Sequence, residues 1–102
     1  MNISNAFETF AKEAPEHQEA WMESVQKLCK ASALDKKTEE LAYLAVMAVM
    51  RLESGLAFHI QMAKANGASR EEIISSILVG LPAAGNVVVS ALPIALAAFD
   101  EE

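Results

Sequence analysis

The chain has 102 residues, a length that suits a single domain spanning 1–102. Apolar residues make up 53% of it and mean hydropathy is +0.23, more apolar surface than so small a subunit buries alone, so a homo-oligomer is expected. A formal net charge of −6 argues against nucleic acid and anionic membrane surfaces and leaves a small-molecule substrate and identical subunits as the expected partners. Cys29 is the single cysteine and cannot form an intrachain disulfide, and MNISNAF lacks the basic and apolar regions of a signal peptide, so a cytoplasmic location is the default expectation.

Helical spacing runs along the chain, and no alternating, β-branched stretch argues for strands. The reading is therefore all-α, with about six helices. Ser4 is placed as the cap of a short first helix that ends before Pro15, and Pro15 suits the first turn of the second. That second helix, Pro15 to about Ala31, carries Trp21, Val25, Leu28 and Cys29 on one face, with Cys29 read as a small core hydrophobe. His17, in the Glu-rich run EHQEAWME, is read as solvated.

Asp35 caps a third helix that starts at Lys36, and because it is apolar on every side from Leu41 to Met50, it is expected to be central. A fourth helix, Glu53 to Asn66, stops at Gly67, and Ser69 with Glu72 three residues later forms a capping box for the fifth. Residues Ile73 to Phe99 carry no charge, yet Gly80-Leu81-Pro82 and Gly85-Asn86 interrupt them, which predicts two buried helices joined by a break and no membrane span. The last helix falls within Asn86 to Phe99, with Pro93 a kink or a restart. Met47, Met50 and Met62 sit on apolar faces and are read as core.

One histidine stands out in the fourth helix. With side chains 100° apart, Glu53, Ser54, Gln61 and Lys64 share one arc, and His59 falls on the opposite arc with Phe58, Met62, Leu56 and Ile60. Gly55 lies one turn earlier on the same face. A buried histidine that satisfies a carbonyl, beside a glycine that permits close helix packing, is one reading. The other depends on Glu40, which shares a face of the third helix with Leu44, Met47 and Arg51. If the third and fourth helices pair antiparallel, Glu40 and His59 meet as a general acid–base couple; otherwise Glu40 is a solvated acid favoured by the helix dipole.

The segments LDKKTEELAYLAVMAVMR and LAFHIQMAKANGASREEI resemble the carboxymuconolactone decarboxylase and alkylhydroperoxidase D-like family, and the resemblance covers nearly the whole chain. It implies an all-helical subunit assembled into trimers or hexamers, with the active site beside Leu52 to His59 near a subunit interface. In the hydroperoxidase branch this segment reads Cys-x-x-Cys-x-x-x-His, with a glutamate in the preceding helix that passes protons to the thiols. Glu40 and His59 match the glutamate and the histidine, whereas Leu52 and Gly55 stand at the cysteine positions.

Without those thiols, peroxide reduction by the usual route has neither its attacking nor its resolving group. The decarboxylase branch also lacks the cysteine pair and keeps the histidine after an acid-rich Arg-Glu-Glu-Glu run, of which Arg51, Glu53 and Ser54 are a partial echo. On that resemblance the substrate is a small carboxylic acid or lactone and no cofactor or metal is needed. Arg51, with Glu53 and Ser54, would bind the substrate, His59 would transfer the proton, and Glu40 would orient His59. The local alternative for Arg51 and Glu53 is a hydrated turn with an ion pair. Three functions follow for test: a cofactor-free lyase or isomerase, an antioxidant enzyme working through Cys29 or an external thiol, and a noncatalytic oligomeric binding module.

Overall fold

A computed structural model of the chain describes residues 5–101, all helices, turns and short links, with no strand among them. Six helices of nine residues or more run in chain order: α1 (Asn5–Glu13), α2 (Pro15–Ala31), α3 (Lys36–Met50), α4 (Glu53–Ala65), α5 (Arg70–Leu78) and, after two single turns α6 (Leu81–Ala84) and α7 (Asn86–Val89), α8 (Leu92–Asp100). Ser4, placed above as the first cap, lies outside the described residues.

The local signals explain the starts of these helices. Asp35 accepts a hydrogen bond from the Thr38 N–H at 2.8 Å and opens α3. Ser69 and Glu72 form the reciprocal capping box that opens α5. Pro15 and Pro93 each sit in a first turn, where a missing N–H costs nothing, so Pro93 restarts the chain as α8. Helix α4 ends at Ala65, one residue inside the predicted end, with Asn66 as its C-cap.

The core forms where α3, α4, α5 and α8 meet. Leu44, Leu56, Ile60, Ile73, Ile77 and Val88 are the largest fully buried side chains, and Ala63, Ala95 and Ala98 let α4 and α8 approach closely. The side chains of Gln61 and Lys64 on α4 reach the carbonyls of Ala98 and Phe99 at the end of α8, with Lys64 Nζ also 4.7 Å from the centre of the Phe99 ring. Arg70 fixes the same end through two hydrogen bonds to Asp100, at 3.0 and 3.1 Å.

The uncharged run divides into α5 and α8 around a break that holds the two single turns and falls at Gly80-Leu81-Pro82 and Gly85-Asn86; there Gly85 takes φ +65°, ψ −142°, a conformation closed to residues with a Cβ. Two expectations are corrected. The third helix packs against α4, α5 and α7 as its central place requires, but only its Glu40, Leu44, Met47 and Ala48 side is buried. Tyr43, Val46, Val49 and Met50 are 43–60% exposed, so Met50 is not a core residue. Finally, Cys29 is exposed. It lies open with Leu28 because α2 packs on α1, where Trp21 meets the rings of Phe7 and Phe10, and barely touches the rest of the chain. No helix is long and apolar enough to cross a membrane.

Candidate functional site

Helices α3 and α4 are joined by a very short link. Arg51 takes the left-handed conformation (φ 58°, ψ 37°), and the N–H groups of Arg51 and Leu52 return to the carbonyls of Ala48 and Met47, so that only these two residues separate α3 from α4. The helices therefore lie antiparallel. That pairing brings the early part of α3 against the middle of α4.

Glu40 and His59 meet there. Oε2 of Glu40 lies 3.1 Å from Nδ1 of His59. The carboxylate side chain is only 10% exposed and the imidazole 27%. Glu40 is the one buried charged residue among those described, and His59 Nδ1 is its hydrogen-bond partner. With the carboxylate ionised and the ring neutral, the contact requires the proton on Nδ1 and leaves Nε2 as the nitrogen without one. In that state the arrangement can present a base on a ring that solvent reaches in part.

Aromatic rings hold the imidazole on two sides. The Tyr43 ring centre lies 4.7 Å from that of His59 at 63°, and Phe58 lies 5.2 Å away at 79°, both edge-on. Tyr43 is the only tyrosine in the chain and stands three residues after Glu40, nearly one helical turn, so its place beside the pair was within reach of sequence reasoning that passed over it. Gly55, one turn before His59, faces Met47: a Cβ built there would come within 3.1 Å of Met47 Cε. The missing side chain is thus filled by methionine packing.

The remaining predicted site residues occupy the other end of the hairpin. Arg51, Glu53 and Ser54 are exposed, and among the described residues none makes an ion pair or a side-chain hydrogen bond. The local ion pair considered for Arg51 and Glu53 does not form. Arg51 stands about 16 Å of helix rise from Glu40, while Ser54 and Glu53 stand about 7 to 9 Å from His59 along α4. The structure unites Glu40 with His59 and does not bring these three to them directly. Among the described residues, no group of three or more His, Cys, Asp or Glu side chains is gathered to hold a metal ion.

Neither the curated proteins nor the solved structures contain a match to this chain. The family model of the carboxymuconolactone decarboxylase family, in contrast, matches residues 15–97, which takes in α2 through most of α8 and the whole Glu40–His59 hairpin. The chain belongs to the carboxymuconolactone decarboxylase family.

Proposed function

We propose that this protein is a cofactor-free acid–base enzyme, a lyase or isomerase acting as a homo-oligomer on a small carboxylic acid or lactone. The observation that carries the reading is the 3.1 Å contact between the buried Glu40 carboxylate and the partly open His59 ring. Glu40 holds Nδ1–H and so leaves Nε2 free to take a proton from carbon next to a carbonyl or, once protonated from solvent, to give that proton to the enolate formed when a carbon–carbon bond to a carboxylate breaks, carbon dioxide leaves and the electron pair stays behind. Arg51 receives the substrate carboxylate, with Glu53 and Ser54 contacting the rest. The arm of Arg51 and the length of a small acid together span the gap to His59.

Two other readings make different predictions. A thiol peroxidase needs Cys29 or an external thiol, yet Cys29 lies on α2, which packs on α1 and not on the α3–α4 pair, while Leu52 and Gly55 occupy the positions where the thiols of the hydroperoxidase branch stand. A noncatalytic binding module is favoured by the broad exposed apolar side of α3.

Solvent-deuterium exchange into a panel of small unsaturated lactones and carboxylic acids, followed by proton NMR, separates them. The enzyme reading expects exchange or decarboxylation by the parent, a fall of about 100-fold or more in His59→Gln, and no change in Cys29→Ser. Full activity in His59→Gln would falsify it, and so would peroxide turnover that vanishes in Cys29→Ser. Binding without exchange would select the noncatalytic module.

A further inference from the structure

The second helix carries a stripe that the first covers only in part, through Phe7 and Phe10, whose ring centres lie 6.0 and 6.2 Å from that of Trp21. His17, Trp21, Ser24 and Leu28 recur at intervals of four, three and four residues along α2, the spacing of a helix seam, and all four are exposed, Trp21 by 52% and Leu28 by 68%. No residue of α1 or α2 is buried.

Elsewhere the chain has a shallow, solvent-open apolar groove. It covers about 620 Å³ between α3 and α5, with Ala42, Ala45 and Ser75 among the residues that line it and Leu41 and Val79 at its apolar sides. No residue of α2 lines it. Helices α3 and α5 run in the same direction along it, as Lys37–Glu72, Leu41–Ser76 and Val49–Gly80 meet in turn. One end is therefore acidic, at Glu71 and Glu72, and the other is uncharged, at Val79, itself 67% exposed.

Charge and length set the orientation of an occupant. The last turn of α2 carries Lys30, which makes no ion pair among the described residues, and Glu71 likewise makes none, whereas Glu72 is held by Lys37 at 2.9 Å. Trp21 to Lys30 spans about 13 Å of helix, and Val79 to Glu71 about 12 Å.

We propose that α2 of one copy of this chain seats in the α3–α5 groove of a second copy, antiparallel to α3, with Trp21 against Val79 and Lys30 at Glu71. The contact is head-to-tail, so it builds a ring where the rotation closes. This inference deepens the homo-oligomeric part of the function proposed above and is independent of its chemistry.

Sedimentation of the full chain across micromolar concentrations, with Trp21 fluorescence recorded on the same samples, tests it. The parent should assemble, and the Trp21 emission should shift to the blue as it does so. Val79→Lys, a change at a position 67% exposed, should weaken association at least about tenfold and leave the Trp21 emission at its position in the monomer. Glu71→Lys should weaken it too, and adding Lys30→Glu should restore it. A parent that stays monomeric would overturn both this inference and the proposed assembly. A parent that assembles but keeps its association in Val79→Lys would overturn this interface alone, as would Trp21 emission that ignores assembly.

Discussion

Oε2 of Glu40 and Nδ1 of His59 stand 3.1 Å apart across the α3–α4 contact, from residues 19 positions apart in sequence. The two partners are unequally buried, and that inequality sets the outcome of removing either one.

His59→Leu should cost about 1–3 kcal/mol, because the 10%-exposed carboxylate is left without its partner. Glu40→Leu should cost less, because water reaches the imidazole that remains. Urea denaturation of the two variants at neutral pH gives the comparison, and equal losses would contradict the inequality.

The same contact fixes the tautomer. Nitrogen-15 NMR of neutral His59 should show the proton on Nδ1 in the parent, and Glu40→Leu should move it toward Nε2. An unchanged tautomer would mean that another group orients the ring.

Arg51 is the one non-glycine residue with positive φ among those described. A side chain there costs backbone strain that glycine avoids, so Arg51→Gly should raise stability by about 0.5–1 kcal/mol. If Arg51 binds the substrate carboxylate, the same variant should raise KM several-fold. Stability gained without any kinetic loss would leave Arg51 a turn residue only.

Acid should loosen the chain end. Hydrogen bonds from Arg70, with the charge of Lys64 nearby, hold Asp100 below the ordinary carboxylate range, and the Ser69 N–H followed by Lys37 does the same for Glu72. A carboxylate whose pKa is lower in the folded state stabilises fully above its unfolded value, near 4, and loses that contribution as pH falls through the folded value. Asp100→Asn should therefore lower Tm at pH 7 and leave it nearly unchanged near pH 2. Thermal melts of both proteins at several pH values would show the difference shrinking below about pH 4.

Much of this architecture is written locally. Asp35, the Ser69–Glu72 pair and Pro15 mark helix starts through groups within three residues, so a one-dimensional reading suffices for them. The Glu40–His59 meeting was legible as a conditional, since helical phase puts both on inward faces and only the antiparallel pairing had to be supplied. The exposure of Cys29 and Met50 was not legible. Periodicity tells which residues share a face but carries no information about whether the same chain covers it. The turn at Arg51 escaped for the opposite reason: left-handed backbone is forecast from glycine or asparagine, and this sequence puts arginine there.

Because the α3–α4 link is so short, the Glu40–His59 pair depends on a single hairpin. Closing a hairpin of two neighbouring helices fixes far less chain than docking α8, whose contacts with α4 must wait until α5, α6 and α7 have been laid down. The Glu40–His59 contact therefore closes a shorter loop than the docking of α8 onto Gln61 and Lys64, and of the two it depends less on the rest of the chain.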